Sequence, residues 1–295
     1  MLVIPRPGVN RDSLLGSLRS VRNDVSNLRG GGGPRTAYGH LLDYLDWASG
    51  AVRMLSNQIS SADLERLVLT RGYERLLSGI GYMAGSQTQV QRVVNGLVST
   101  ELDQRVAAFD EAISALEKQI SRWSRLGDFI VPDSSFYIEH KDKVEQADFA
   151  LLVGGRGTAI HILVPIVVVD ELDRLKETRD KMVRWRAGYT LAVMDRVFRN
   201  TTSPARLRAE DFSALDTGGI PRGEITIELL FDPPGHVRLP INDDEIIDRS
   251  LAIKPLADRE ITLLTYDTGQ SMRARQAGLR VQKLSKPIGE VPAKA

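Results

Sequence analysis

Residues 160–171 read IHILVPIVVVDE, and this stretch decides the fold. Ile160 to Val169 is a ten-residue run that is apolar except for one His and one Pro. An uninterrupted apolar run rich in β-branched residues is typical of a parallel strand that is buried on both faces. It is too short for a membrane-spanning helix, which needs about 20 apolar residues. We therefore predict a buried strand that ends at Asp170 and Glu171.

Shorter apolar segments on both sides of this run extend the same pattern. DFIVPD at 128–133 and ITLLTYD at 261–267 each predict a buried strand that ends at an acid. Helical patterns at 171–199 and 244–257 lie between the predicted strands. Strands that alternate with helices indicate an α/β fold with a central parallel sheet.

The segment before the last helix predicts an antiparallel feature. GEITIELLF at 223–231 alternates apolar and polar residues, and Pro233-Pro234-Gly235 then interrupts it. The chain continues as HVRLPI at 236–241. A turn between two such runs predicts a β-hairpin.

The first part of the chain is helical in character. The clearest helix is predicted over 101–126, after shorter ones at 37–57, 62–80 and 86–98. Its apolar residues recur at alternating spacings of 4 and 3, which is a heptad pattern: Leu102, Val106, Phe109, Ile113, Leu116, Ile120 and Trp123. The pattern fits an intramolecular bundle, our preferred interpretation, or a coiled-coil dimer. We predict an all-α domain over 1–126 and an α/β domain over 127–295.

Composition excludes several classes of function. Lys and Arg total 39 against 38 Asp and Glu, a net charge of +1, so the chain is no polycation that binds nucleic acid by bulk charge. The absence of Cys excludes disulfides, iron–sulfur clusters, Cys-ligated zinc and thiol catalysis. We expect a cytoplasmic protein that has no membrane partner.

The predicted strand ends bring acids together. Ligands of open α/β sheets bind beyond the carboxyl ends of the strands, where we place Asp133, Asp170-Glu171 and Asp267. A further acidic group, Asp243-Asp244-Glu245, begins the helix before the last of these strands. Clustered carboxylates without Cys or His suit Mg²⁺ or Mn²⁺. Such a site suits phosphodiester hydrolysis, although phosphatases use similar clusters.

Four segments in this order resemble the PIN-domain family of metal-dependent nucleases. They are VPDSSFYIEH at 131–140, VPIVVVDELDRLK at 164–176, NDDEIID at 242–248 and LLTYDTGQSMRARQAGLRV at 263–281. The resemblance covers about 127–285. It implies an α/β/α sandwich, here a larger PIN domain with a β-hairpin insertion, fused to an N-terminal helical domain.

The resemblance also implies which residues act. Asp133 matches the family's first acid, and Glu171 matches the second, with Asp170 as its neighbour. Asp243 and Asp244 compete for the third position, and we prefer Asp244. Asp267 matches the fourth acid, and Thr265 lies where the family often has a hydroxyl. The implied catalytic residues are Asp133, Glu171, Asp244 and Asp267, and the implied metal ligands are these four and Asp243, with Mg²⁺ or Mn²⁺ as cofactor.

The leading functional hypothesis is therefore a metal-dependent endoribonuclease whose partner is single-stranded or structured RNA. One alternative is a PIN fold that serves as a binding or scaffold module, and another is a structure-specific DNA nuclease. The N-terminal helices would provide a homodimer contact or bind a protein partner.

Two kinds of side chain near the motifs have two interpretations each. Basic residues either contact the RNA backbone or form solvated helix faces, and we prefer the second: Lys176, Arg179, Lys181, Arg184, Arg186, Arg273 and Arg275. Trp185 either stacks on a base or packs in the core, and we prefer the core interpretation. Asp248, one turn after Asp244, either reaches the site or lies on a solvated face.

Overall fold

A computed structural model describes residues 3, 5–30, 36–83, 88–155, 157–199 and 204–285. The chain divides into two compact units. The first is Met1–Ser124 with Pro255–Asp258, and the second is Arg125–Lys254 with Arg259–Ala295. The first unit thus ends two residues before the predicted boundary and includes a short later segment. None of the described helices is long and apolar enough to cross a membrane.

The first unit is a helical bundle. Its helices are α1 (Arg11–Gly30), α2 (Ala37–Leu55), α3 (Ser61–Leu67), α4 (Arg71–Met83) and α5 (Thr88–Trp123). Helices α1 and α2 pack against α5, and the heptad residues Leu102, Phe109 and Leu116 are buried there. The intramolecular bundle is therefore the correct interpretation of the heptad pattern, while a dimer stays a prediction.

Two helix boundaries in this unit differ from the prediction. Residues 88–98 and 101–123 of the two predicted helices belong to the single helix α5, and residues 86 and 87 lie outside the described part of the chain. The Thr100 hydroxyl donates back to the Gly96 carbonyl at 2.8 Å, a contact made inside a continuous helix. Segment 62–80 is instead two helices, α3 and α4. Ser60 caps α3 by accepting the Asp63 amide at 3.0 Å.

The second unit is an α/β fold, as predicted. Its strands are β1 (Asp128–Pro132), β2 (Ile160–Pro165), β3 (Ala205–Arg208), β4 (Ile225–Leu230), β5 (Ile261–Thr265) and β6 (Arg280–Lys283). Its helices are α6 (Ser134–Glu139), α7 (Phe149–Val153), α8 (Ile166–Leu175), α9 (Lys181–Val197), α10 (Asn242–Ala257) and α11 (Thr268–Gln276). Within the described residues the sheet has the order β3-β4-β2-β1-β5-β6.

The apolar run that decides the fold contains both a strand and a helix, so the predicted strand end is wrong. Strand β2 ends at Pro165, which has no N–H to continue the ladder. The β-branched residues after it begin α8, and the buried side chains Val167, Val168 and Leu172 lie at helical spacing. Tertiary burial overrides their strand propensity. Asp170 and Glu171 therefore lie on α8, and not at a strand end.

Two further predictions about this unit are wrong. The predicted helix 171–199 is interrupted after α8, and Asp180 caps the new helix α9 by accepting the Met182 and Val183 amides. The antiparallel partner of β4 is the earlier strand β3, and β4 also pairs in parallel with β2. Residues 236–241 form no strand: the Leu239 amide donates to the Glu245 carboxylate instead of a ladder partner, and Pro240 has no N–H to donate.

The chain order of the sheet identifies a topological switch point. From β1 the chain moves to β2 and β4, and then returns to the other side of β1 as β5 and β6. Helices α6, α8 and α9 pack against one another, and right-handed crossovers place α10 and α11 on the opposite face. Ligand sites in such sheets lie where the strand order reverses, here between the carboxyl ends of β1 and β5.

Candidate functional site

Asp133 lies at this switch point, directly after β1. It caps α6 by accepting the Phe136 amide at 2.8 Å, and it also accepts the hydroxyls of Ser135 at 2.7 Å and Thr265 at 2.6 Å. Its exposed fraction is only 3%. Burial raises the pKa of Asp133 to about 6, although these three hydrogen bonds favour the ionised form. The protein thus holds a carboxylate in place at a cost in solvation.

Hydroxyl groups link Asp133 to the end of β5. The Asp267 amide donates to the Thr265 hydroxyl at 2.8 Å, and the Tyr266 amide donates to the Ser135 hydroxyl at 2.9 Å. The Asp267 carboxylate caps α11 by accepting the Gln270 amide at 2.6 Å. The ends of two adjacent parallel strands therefore fix two acids by the same local device, an Asp cap that begins a helix.

Asp243, in the first turn of α10, adds a third charge. Burial raises the pKa of Asp243, and the carboxylates of Asp267 and Glu171 raise it further. Asp243 in turn raises the pKa of Asp133. Glu171 is held by the Asn242 amide, which donates to its Oε1 at 2.8 Å. Acids from four separate elements therefore influence one another.

Asp243 and Asp244, the two candidates for the third position, share one cationic partner. Asp244 lies 3.2 Å from the guanidinium of Arg273, which also forms an ion pair with Asp243. The charges of Asp267 and Glu171 help to raise the pKa of Asp243, behind the effect of burial. The preference for Asp244 stays a prediction, and the contacts of Asp243 make it the competing candidate for the third position.

Two neighbouring acids, Asp170 and Asp248, form ion pairs with arginines outside the acid site. Asp170 accepts the Arg238 guanidinium at 2.6 Å, and Asp248 accepts the Arg249 guanidinium at 2.5 Å. Asp170 precedes Glu171 in α8, so the helix turns its side chain to a different direction. Glu171 is therefore the better candidate of the two.

The basic residues and Trp185 have separate surroundings. Arg273 pairs with the acids as described, Lys176 pairs with Asp173 at 2.7 Å, and Arg186 donates to the carbonyls of Ile138 and Asp142. Trp185 is 49% exposed, so the preferred interpretation that it packs in the core is wrong.

A family model for the PIN domain matches residues 130–285, which is 156 of the 295 residues. The chain belongs to the PIN-domain family. The matched region begins in β1 and ends after β6, so it contains all the acids described above. PIN domains are generally nucleases. None of the curated proteins compared with the chain matches it significantly.

A second polar cluster of the PIN domain was missed by sequence reasoning. Ligand atoms of Asp232, His236 and Glu245 lie within 4.8 Å of one another. Glu245 is fully buried; it accepts the Leu239 amide at 2.8 Å and lies 2.7 Å from His236 Nε2. These bonds hold the loop between β4 and α10 against α10. A His nine residues before a Glu gives no local signal for this contact.

Sequence reasoning also missed the groups that position the acids. Ser135, Asn242 and Arg273 each contact one or more of the carboxylates. Ser135 follows Asp133 at the two-residue spacing that is common at helix caps, which is a usable local signal. The Asn242 and Arg273 contacts connect different elements, so only the fold reveals them.

The raised pKa of Asp133 predicts how stability changes with pH. The folded protein holds the Asp133 proton more tightly than the unfolded chain, so stability falls as the pH rises from about 4 to about 6 and the penalty is complete above that. We expect metal-free Asp133→Asn protein to be more stable than the wild type at pH 7.5, by on the order of 2 kcal/mol. The difference should vanish near pH 4.

Denaturant unfolding in the presence of a chelator, between pH 4 and pH 8, measures this difference. Asn retains an oxygen that can accept the Phe136 amide, so the helix cap is preserved. A variant that is less stable than the wild type at pH 7.5 would show that ionised Asp133 stabilises the fold.

Proposed function

We propose that this PIN domain is a metal-dependent endoribonuclease that hydrolyses RNA phosphodiester bonds. The observation that supports the proposal is the buried carboxylate of Asp133, whose pKa is raised to about 6 at the switch point of the sheet. The charge of Asp243 acts on Asp133, and the charges of Asp267 and Glu171 act on Asp243. A protein gains no stability from such a cluster, which indicates a function that uses the negative charge.

The residues of the site fit a divalent cation. The candidate ligands are carboxylate oxygens, which Mg²⁺ and Mn²⁺ prefer. Burial and like charges disfavour ionisation of both Asp133 and Asp243, and a bound cation would reverse both effects. Asp133, Glu171, Asp243 and Asp267 would hold one or two Mg²⁺ or Mn²⁺ ions, which would activate water and neutralise charge on the phosphate.

The other side chains of the site position these acids. The hydroxyls of Ser135 and Thr265 fix the orientation of the Asp133 carboxylate, and Asn242 fixes that of Glu171. Arg273 balances part of the charge of Asp243 and Asp244. As a fork of N–H donors next to the acids, it is also suited to bind a phosphate of the substrate. The mechanism requires no side-chain nucleophile.

The pair Asp243 and Asp244 offers a sharp test of the ligand set. We expect Asp243→Asn to weaken Mn²⁺ binding at least about 10-fold, the lower end of the effect of groups that merely support metal ligands. Asp244→Asn, which makes the same chemical change one residue away, should weaken it much less. Isothermal calorimetry with Mn²⁺ measures both constants. The opposite ranking would restore Asp244 as the third acid.

The activity itself is tested with labelled substrates of matched sequence. Mn²⁺-dependent cleavage at internal positions of RNA, and not of single-stranded or flapped DNA, is the expected result. Preferred cleavage of the flapped DNA would make the protein a structure-specific DNA nuclease. Absence of cleavage, together with absence of Mn²⁺ uptake by the acids, would identify a binding or scaffold module.

A further inference from the structure

An open cleft lies beside the acid site, between the end of α6 and the beginning of α9. Its volume is about 450 Å³, and it is lined by residues 138–143, Gln146, Met182, Trp185 and Arg186. Met182 and Trp185 are both largely exposed at its edge. An exposed Trp beside an exposed Met is unusual for a surface that contacts only water, because both side chains gain by burial.

The Trp185 ring is held in a fixed orientation. It stacks on Tyr189, one turn later in α9, with ring centroids 5.5 Å apart and an interplanar angle of 26°. The Lys143 ammonium lies 5.7 Å from the Trp185 centroid and 4.6 Å from the Tyr189 centroid. These contacts leave about half of the Trp185 side chain exposed. The aromatic surface is therefore ordered before any ligand binds, which lowers the entropic cost of binding.

Cationic side chains outnumber acidic ones in the cleft, while the Glu145 carboxylate accepts the hydroxyl of Tyr189 and pairs with Arg196. Lys141, Lys143 and Arg186 line the cleft, against the two acids Glu139 and Asp142. Arg186 donates to two backbone carbonyls, so these contacts leave its charge unneutralised. Among the described residues, no carboxylate lies within ion-pair distance of Lys143 or Arg186. Cations next to an exposed aromatic ring are complementary to a strand of nucleic acid, which has anionic phosphates and flat bases.

Short connections join the cleft to the acid site. Helix α6 begins at its cap Asp133 and ends at His140, which lines the cleft. Six helical residues span about 9 Å. His140 Nδ1 lies 3.0 Å from the hydroxyl of Tyr266, the residue before Asp267. The cleft is therefore joined to the acid site by one short helix and by one contact with the residue before Asp267.

We propose that Trp185 and Lys143 form a subsite that holds one unpaired base of single-stranded nucleic acid next to the acid site. The base stacks on the exposed face of Trp185, and Lys143 and Arg186 contact the flanking phosphates. Bases in a duplex are already stacked on each other and present no free face. The subsite therefore selects single strands. This inference rests on the proposed function, because it assumes that the acids act on nucleic acid.

Intrinsic fluorescence tests the subsite directly. The chain has three Trp residues, and the other two, Trp47 and Trp123, are buried. Titration of the full chain with a ten-nucleotide oligouridine should quench the Trp185 emission, and the same RNA in a duplex should not. Trp185→Phe should remove the quenching. Unpaired DNA of matched length, as oligothymidine, shows whether RNA is preferred.

Affinity measurements complete the test. By anisotropy with labelled oligouridine, Trp185→Ala should weaken binding about 5- to 150-fold, the range expected for loss of one base–aromatic stack, and Trp185→Phe should restore most of it. Phe212→Ala, which removes another exposed aromatic ring of the same unit, should bind as the wild type does. Equal affinity of wild type and Trp185→Ala, or no quenching by any oligonucleotide, would overturn the subsite.

The two proposals fail in different ways. If the subsite is wrong and the nuclease is right, Asp133→Asn abolishes cleavage while Trp185→Ala changes neither affinity nor quenching. If the nuclease is wrong and the subsite is right, oligouridine quenches Trp185 and no cleavage occurs with Mn²⁺. Mn²⁺ uptake should be the same in Trp185→Ala as in the wild type, because the variant leaves the acids intact.

Discussion

Asp133→Asn is expected to lower the rate of Mn²⁺-dependent RNA cleavage at least about 100-fold. Even groups that only support a metal ligand are worth about 10- to 100-fold in affinity or activity, and Asp133 is the most central of the candidate ligands. Two hydroxyls and one amide hold it in place. The neutral Asn amide can replace the carboxylate in these contacts, but it binds a divalent cation poorly because it has no negative charge.

The control for this experiment is Asp248→Asn, which makes the same change at a neighbouring position. Asp248 lies one turn after Asp244 in α10, is half-exposed, and pairs with Arg249. We expect its cleavage rate to stay near that of the wild type. Initial rates on a fluorescent RNA measure both variants. Equal rates for Asp133→Asn and wild type would remove Asp133 from the site.

Among the variants proposed for this protein, Glu245→Ala is expected to cause the largest loss of stability. The free energy of unfolding should fall by about 3–5 kcal/mol. Glu245 is fully buried and accepts from the Leu239 amide; it also lies 2.7 Å from His236 Nε2 and 3.5 Å from Arg249 Nε. The substitution leaves buried donors without an acceptor. The loop between β4 and α10 is then no longer held by Glu245. The ion pair between Arg238 of this loop and Asp170 is expected to be lost as well.

Denaturant unfolding at neutral pH measures this loss, with Glu260→Ala as the matched control. Glu260 pairs with Lys254 on the surface, and an exposed pair of this kind is worth about 0–1 kcal/mol. Glu245→Gln keeps one carbonyl acceptor and should lose less stability than Glu245→Ala. A loss below about 1 kcal/mol for Glu245→Ala would show that the loop is held by other contacts.

The order of strands and acids made much of the fold predictable. A buried strand followed by an acid marks β1 and β5 clearly, since burial on both faces requires apolar residues and Asp is one of the preferred residues at a helix cap. The same reasoning placed the end of β2 at Val169, four residues too late. The β-branched residues after Pro165 carry a strand signal, yet packing against the sheet makes them helical.

The partners of the acids could not be predicted in the same way. The choice between Asp243 and Asp244 depends on which carboxylate α10 turns toward Asp267 and Glu171, and adjacent residues of a helix differ by about 100° in direction. The pairing of β4 with the earlier strand β3 depends on contacts across the sheet. Local patterns contain neither kind of information.

The most direct test of the metal-dependent nuclease compares Mn²⁺ binding with cleavage in the same protein preparation. Calorimetry gives the Mn²⁺ concentration at half saturation, and initial rates on single-stranded RNA give the concentration at half-maximal cleavage. We predict that the two concentrations agree for the wild type and that Asp133→Asn loses both binding and cleavage. RNA cleavage that persists in excess chelator, or that survives in Asp133→Asn, would contradict the proposed function.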